Sequence, residues 1–338
     1  MPTISVIVPV NNRGDLLSAT LSSLMNQTFN DWECIIVDDH STDNSITVAQ
    51  QYSEQDKRFK VVTLPDPKRY VCAARNYGFY LSNTEYVTFM DAGLLFTNNK
   101  LEEQLHIFTD HPALDAVTCR HIFFDTTPEN CNPQSKFAPP NIWLDVMWNA
   151  EIFGGLWQTS SPLWRTDLLL EIGCWNENIR AWTDPELNLR SLLHRAKFAR
   201  MEKILVFIKR GAKGSVSSKP PLEKNPLLVE GLLAGWKTLK KAGGVTELRK
   251  LILADRFFQL SKSYLDNNRL VLGVVSWMRW TSKIDLNRER ITIGFLLLVA
   301  NKFNKKHILE LLYPGFFNYR SLVPPPLPDV TEIPTYLL

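Results

Sequence analysis

The chain is poor in what would make it a disulfide scaffold, a zinc protein or a membrane span. Its five cysteines, Cys34, Cys72, Cys119, Cys131 and Cys174, are odd in number, widely spaced and contain no C-x-x-C pair. That excludes a disulfide framework or a zinc site and predicts reduced, mostly buried thiols. The longest apolar run, Ile293 to Ala300, is far short of the roughly 20 residues a spanning helix needs. No basic n-region or cleavage site precedes Ile4-Ser-Val-Ile-Val8, which argues against secretion and for a cytoplasmic protein. A net charge of only +3 over 338 residues is too mild for a nucleic-acid binder. No G-x-G-x-x-G follows the first apolar run, so a dehydrogenase would lack its phosphate loop. A nucleotidyltransferase would want a Gly-rich, cationic loop there, and Pro9-Val-Asn-Asn12 does not supply it.

What is present is ordinary globular composition, 45% hydrophobic and 22% charged, with strands and helices alternating from the start. Ile4–Val10, Trp32–Val37, Lys60–Leu64 and Tyr86–Met90 read as buried strands, and Leu17, Leu21 and Leu24 share one face of a helix between the first two. This spacing predicts a mainly parallel α/β sheet covered by helices on both faces, with right-handed crossovers. A helix over about Val71–Leu81, another near Asn99–Phe108, a strand pair within Asp115–Phe124 and a strand over Glu202–Ile208 complete the reading. From Pro226 onward the pattern is helical, and the tail from Pro324 carries five prolines. The expected division is a domain over 1–220 and a helical accessory region over 221–338 with a Pro-rich tail.

Acids gather at predicted strand ends, where open α/β sheets collect ligands. Asp38 and Asp39 follow the second strand, and Asp91 follows the fourth, with Ala92, Gly93 and Leu94 next to it instead of a second carboxylate. Asp184 precedes Pro185 at a predicted helix entrance, where it reads either as a cap or as a general base. Lys209-Arg210-Gly-Ala-Lys213-Gly-Ser215 suits anions such as phosphates, although a solvated surface loop would look the same. The dense tryptophans Trp143, Trp148, Trp157, Trp164, Trp175 and Trp182 are read as core first and sugar platforms second. Thr126–Pro140, with four prolines, reads as a loop able to close over a substrate.

Taken in order, Val6-Ile-Val-Pro-Val-Asn11, Val37-Asp-Asp-His-Ser-Thr-Asp43, Ala74-Arg-Asn-Tyr-Gly78, the strand ending in Asp91, Gly173-Cys-Trp-Asn-Glu177 and Thr183-Asp-Pro-Glu-Leu187 resemble the inverting GT-A glycosyltransferases of family 2. The resemblance runs from Ile4 to about Ser218. It implies a GT-A, Rossmann-like mixed sheet sandwiched by helices, and transfer of a sugar from a nucleotide-diphosphate donor to an acceptor hydroxyl with inversion. Pro9 and Asp39 would help hold the base, Asp38 would support that turn, and Arg75 would face the nucleotide or its phosphates. Asp91 matches the first acid of the D-x-D element, and Asp184 matches the catalytic base. UDP-sugars are the favoured donors, with GDP- and dTDP-sugars as alternatives. The implied acceptor is a saccharide or lipid-linked molecule in polysaccharide or glycoconjugate assembly.

Two departures concern the leaving group. The D-x-D element reads Asp91-Ala92-Gly93, and the family's late Arg-x-His-x-x-Ser loop reads Arg210-Gly-Ala-Lys-Gly-Ser215. Both argue against magnesium or manganese, with Asp91 a ligand only if a metal is used, and make Arg210 and Lys213 the cations expected to stabilise the diphosphate. The competing reading is a catalytically impaired GT-A-like nucleotide-binding or scaffold protein. Trp277, Met278, Arg279, Trp280 and Lys283 form a basic aromatic cluster suited to peripheral contact with lipid headgroups, or simply to packing.

Overall fold

The computed structural model describes residues 2–66, 70–124, 128, 157–209 and 219–302, the last three as backbone only. They fall into two compact units, residues up to 209 in the first and residues from 219 in the second. The first unit runs β1 (Ile4–Val10), α1 (Gly14–Met25), β2 (Trp32–Asp38), α2 (Ser45–Gln55), β3 (Phe59–Thr63), α3 (Tyr70–Leu81), β4 (Tyr86–Phe89), β5 (Leu94–Phe96) and α4 (Lys100–Asp110). It continues through β6 (Ala116–Phe124), β7 (Leu163–Arg165), α5 (Thr166–Ile172), α6 (Thr183–Leu193) and β8 (Phe198–Lys209).

Every residue of β1 and β2 is buried, which is why both are mainly apolar without alternation; the internal exceptions Ser5 and Glu33 satisfy each other, the Ser5 hydroxyl donating to Glu33 Oε1 at 2.7 Å. The eight strands form one sheet in the order β3-β2-β1-β4-β7-β6-β8-β5. The first four are mutually parallel, with Ile7 registered against both Ile35 and Phe89. Beyond β4 the directions mix: β7 is antiparallel to β4 and β6, β8 is parallel to β6, and β5 is antiparallel to β8. The strand pair expected within Asp115–Phe124 is instead a single nine-residue strand, β6, which bends through register shifts on both sides of Arg120.

Two local features set the site end of the sheet. Pro9 lies in a central strand, where a missing N–H normally breaks a ladder. Here the Met90 amide bonds the Ile7 carbonyl, so Pro9, two residues on, turns the same edge toward β4 after that strand has ended at Phe89, and no ladder bond is lost. Gly78 lets α3 lie hard against the sheet, since a Cβ there would sit 2.6 Å from Ile7 Cγ2 and 2.9 Å from Val37 Cγ2.

The second unit comprises α7 (Pro221–Lys241), α8 (Glu247–Asp266), α9 (Leu270–Thr281), a 3-10 turn (Ser282–Ile284) and α10 (Arg288–Lys302). Thr246 caps α8 by accepting from the Arg249 amide. The basic aromatic cluster does not face outward as a unit. Trp277 is 0% and Trp280 8% exposed, because their rings pack against Phe258, Phe257 and Tyr264. Among the described residues no helix is long and apolar enough to cross a membrane.

Candidate active site

The carboxyl ends of β1 and β2 are laced together. The Asp39 amide donates to the Val10 carbonyl, and Asn11 Nδ2 donates to the Asp39 carbonyl. Asn12, with φ of 53°, accepts at Oδ1 from the Thr42 amide at 2.7 Å and the Asp43 amide at 3.3 Å. Asp43 Oδ2 accepts from the Gly14 amide and Oδ1 from the Ser45 amide, so one side chain fixes the starts of α1 and α2. The Ser45 hydroxyl bond, helped by the Gly14 and Ser45 amides, outweighs desolvation and holds the Asp43 carboxyl below its ordinary value. Asp38 is buried and accepts the Ser41 amide on both oxygens at 3.3 and 3.2 Å. Asp39 is half-buried. Pro9, Asp38 and Asp39 thus share the strand-end edge to which β4 delivers Asp91.

At that edge a guanidinium lies between two carboxylates. Arg75 Nη2 on α3 donates to Asp91 Oδ1 at 2.7 Å and Oδ2 at 3.0 Å. Its Nη1 is 3.7 Å from Asp184 Oδ1. The Arg75 side chain is 3% exposed, against 36% for Asp91 and 30% for Asp184. Its guanidinium carbon is 4.2 Å from the Trp175 ring centroid. That tryptophan is clamped by the next residue on α3: Asn76 Nδ2 donates to the Trp175 carbonyl at 2.9 Å and to Glu177 Oε1 at 2.8 Å, and Asn76 Oδ1 accepts the Trp175 amide at 2.9 Å. Burial works against the Arg75 charge, yet Asp91 and then Asp184 keep its pKa above the ordinary value.

Asp184 is not the helix cap expected of it. α6 starts one residue earlier, at Thr183, and the preceding Trp182 occupies the cap position with φ of 62° and no side-chain capping bond. Asp184 therefore lies inside the first turn, where the helix dipole favours an acid. Burial raises its carboxyl above the ordinary range; Arg75 and the Thr159 and Thr183 hydroxyls pull it back, and Asp91 pushes it up. α6 is anchored by Arg190, which pairs with Glu186 and donates to the Ile172 and Cys174 carbonyls. Trp157 Nε1 donates to Asn188 Oδ1 at 2.9 Å, tying the Trp157–Thr159 segment to the same helix. Gly173, which ends α5, is left-handed at φ of 81°.

Among the described residues, the side chains at this turn do not make a divalent-cation site. Asp91 already holds two bonds from Arg75, and Gly93 offers no side-chain ligand. Gly93 also has φ of 98°, a conformation that L side chains rarely adopt, and its turn is fastened by the Thr20 hydroxyl, 2.9 Å from the Gly93 amide and 3.0 Å from the Leu94 carbonyl. Among the described residues no cluster of three His, Cys, Asp or Glu side chains is placed to hold a metal. Arg210 and Lys213 lie outside the described residues, as do Thr126–Pro140 apart from Pro128, Trp143, Trp148, Cys131 and the Pro-rich tail. The root of the cationic loop is described: the Lys209 amide donates to the Gly93 carbonyl at 3.4 Å, and Ile208 is registered against Leu94.

Sequence reasoning passed over Asn76, Thr159 and Asn12 as individual site residues. Asn76 was visible only as part of Ala74-Arg-Asn-Tyr-Gly78, and Thr159 carried no signal. Trp157, Trp164 and Trp175 are 7%, 1% and 3% exposed, so the core reading holds for these three, with Trp175 also serving as a bed for Arg75. Cys34, Cys72, Cys119 and Cys174 are free and buried. Burial lifts the Cys72 and Cys174 thiols to about 12 and Cys119 to about 11, which removes them as nucleophiles.

A sheet that brings Asp38 and Asp39 to the carboxyl end of β2 and Asp91 to that of β4, with a fourth acid, Asp184, on the first turn of α6, defines a GT-A-like α/β protein. Residues 5–155 match the family model described as glycosyl transferase family 2, and over that part the chain is similar to the members of that family. The chain is 32% identical over 157 residues, 46% of its length, to a putative teichuronic acid biosynthesis glycosyltransferase, TuaG, of Bacillus subtilis. It is 38% identical over 91 residues, 27% of its length, to a GalNAc(5)-diNAcBac-PP-undecaprenol beta-1,3-glucosyltransferase of Campylobacter jejuni. It spans 60% and 29% of those two relatives. The fold is similar to that of S. aureus TarS 1-349 in complex with UDP-GlcNAc, with a TM-score of 0.64, 17% identity and coverage of 92% of this chain and 91% of that one.

Proposed function

We propose that the protein is an inverting glycosyltransferase that uses a nucleotide-diphosphate sugar, UDP-linked in the first instance, in polysaccharide or glycoconjugate assembly. The observation that carries this reading is Asp184: a half-enclosed carboxylate on the first turn of α6, raised above the ordinary range by burial and served by two hydroxyls and a guanidinium. Such a group is more basic than an ordinary carboxylate and is placed to take a proton from a bound hydroxyl. Asp184 accepts the proton of the acceptor hydroxyl as that oxygen forms a bond to the anomeric carbon. The bond from that carbon to the diphosphate oxygen breaks on the opposite face, the electron pair leaves with the nucleoside diphosphate, and one displacement inverts the centre. Pro9, Asp38 and Asp39 shape the base-binding end, and Asp91 positions the donor.

Charge neutralisation on the leaving diphosphate is assigned to Arg210 and Lys213 instead of a metal. The root of their loop at Lys209 beside Gly93, together with a donor set unsuited to a divalent cation, supports this. The catalytic region is taken as 1–220 and the helical accessory region as 221–338. The acceptor is lipid-linked or saccharide, as the Campylobacter relative's name describes for that enzyme, and the protein works at the cytoplasmic face of a membrane. Contact with that membrane falls on the outer side of α9, where Val271, Val275 and Met278 are 75%, 53% and 51% exposed, and flotation with anionic vesicles measures it.

The deciding experiment is a turnover screen of UDP-, GDP- and dTDP-sugars with manganese, without it and with chelator. Turnover of a UDP-sugar that survives chelation is the expected result. Activity that vanishes with chelator and returns with manganese removes the cationic-loop assignment. Nucleotide binding without turnover of any donor favours the scaffold reading.

A further inference from the structure

Among the functional side chains, Arg75 stands apart in being almost wholly enclosed. A phosphate ligand must present N–H groups to solvent-borne oxygen, whereas this guanidinium is 3% exposed. Its Nη2 is spent on Asp91. Its Nε and Nη1 are buried without a hydrogen-bond partner. One face rests on Trp175, whose ring meets Phe89 of β4 edge-on at 5.1 Å, and Asn76 fixes the Trp175 backbone on both sides. The side chain is thus pinned from below, with its remaining donor aimed at the acid taken as base.

We propose that Arg75 is a positioning residue that holds the Asp91 and Asp184 carboxylates in one arrangement from beneath, and does not itself bind the donor diphosphate. The proposal rests on the reading of Asp184 as the base. The 3.7 Å gap from Nη1 to Asp184 Oδ1 is ion-pair distance, and closing it to about 2.9 Å would complete a hydrogen bond. One guanidinium against two carboxylates leaves a single net negative charge, and capture of the acceptor proton by Asp184 cancels it. The same guanidinium therefore keeps the base anionic before transfer and leaves a neutral cluster after it. Among the described residues, the other groups around Asp184 are the Thr159 and Thr183 hydroxyls, Asp91, and Cys72 on α3, whose thiol burial lifts to about 12. Beyond Cys72 lie Glu186, paired with Arg190, and Glu177, held by Asn76. None of these supplies a second cation to the base.

The test compares wild type with Arg75→Met, similar in length and uncharged, and with Arg75→Lys, which keeps charge and loses the fork. UDP affinity is measured by calorimetry and UDP release from UDP-GlcNAc by rate. The Asp184 midpoint is followed by NMR on the free full-length protein with ¹³C-labelled aspartate, with Asp184→Asn assigning the signal. Arg75→Met is expected to bind UDP within about threefold of wild type and to lose turnover by about 100-fold or more. Its Asp184 midpoint should rise by about one unit or more, the size of shift a neighbouring opposite charge produces. Arg75→Lys should restore most of the midpoint and only part of the rate. An unchanged midpoint, or a UDP affinity loss of about tenfold or more with turnover at saturation intact, overturns the proposal. If Arg75→Met does not fold, Arg75→Gln, also uncharged, replaces it under the same criteria. Failure of the wider reading shows separately, as full turnover by Asp184→Asn or none by wild type, and leaves the NMR comparison valid.

Discussion

Asp43, between β2 and α2, and Asp184, in the first turn of α6, are both aspartates at helix entrances, and their surroundings treat charge in opposite ways. Asp43 takes amide and hydroxyl donors from Gly14 and Ser45, which hold its carboxyl below the ordinary value. Asp184 is desolvated and shares its one guanidinium with Asp91, and its carboxyl stands above the ordinary value. An acid that the fold rewards for ionising fastens two helices, whereas one that the fold resists ionising is available to move a proton. The same residue type at the same kind of position therefore does structural work at one end of the sheet edge and, in the function proposed above, chemical work at the other.

The contrast can be broken in measurable steps. Asp184→Asn should reduce turnover by about 10²- to 10⁴-fold, the range for a lost general base, with UDP affinity and melting temperature kept. Rates within tenfold of wild type would take Asp184 out of that role. Asn76→Ala removes the partners of a buried amide and carbonyl at Trp175, and the cost should be about 2–4 kcal/mol in urea unfolding; turnover should fall with it because Trp175 carries Arg75. Gly93→Asp places a carboxylate at the second D-x-D position in a left-handed backbone and should cost about 1–2 kcal/mol. No gain in manganese affinity is expected, and tight manganese binding by this variant would contradict the account of the turn. Asp43→Ala loses a helix-entrance acceptor and should cost about 1 kcal/mol, with little change in saturated turnover.

The smallest effect sharpens the comparison through pH. Asp43 has a depressed folded pKa, so its stabilisation is present above the unfolded value and is lost as pH falls through the folded one. Asp184 has a raised folded pKa, so the folded state keeps a proton that the unfolded chain has released, and stability falls as pH rises through the window above the ordinary carboxylate value. Melting curves between about pH 3 and 7 on wild type, Asp43→Ala and Asp184→Asn should show slopes altered in opposite senses. Matching slopes would remove the distinction.

The parallel half of the sheet was legible because β1, β2 and β4 are buried on both faces and read as mainly apolar runs, the latter two leading into acids. The second half was less so: β5 and β7 have three residues each, too short for periodicity, and β6 bends at Arg120 where alternation would have been expected. Asp184 was legible as an acid beside Pro185, but its place inside α6 was not, since the entry residue Trp182 adopts a left-handed conformation that nothing in its side chain announces. The clamp of Asn76 on Trp175 joins residues 99 apart, a separation that no local pattern encodes. Arg75 was visible as a cation in a motif; its enclosure became visible only once α3 was seen pressed onto the sheet through Gly78.

The left-handed turn at Gly93 also bears on how the site can change over generations. At most exposed turns a single-nucleotide change from glycine to aspartate installs an acid at little structural cost. Here the new carboxylate meets a backbone shaped for glycine and held by Thr20, so the substitution costs stability before any metal can reward it. The turn acts as a filter on mutation at this position: glycine is kept easily, and a metal-ligating side chain is costly to install.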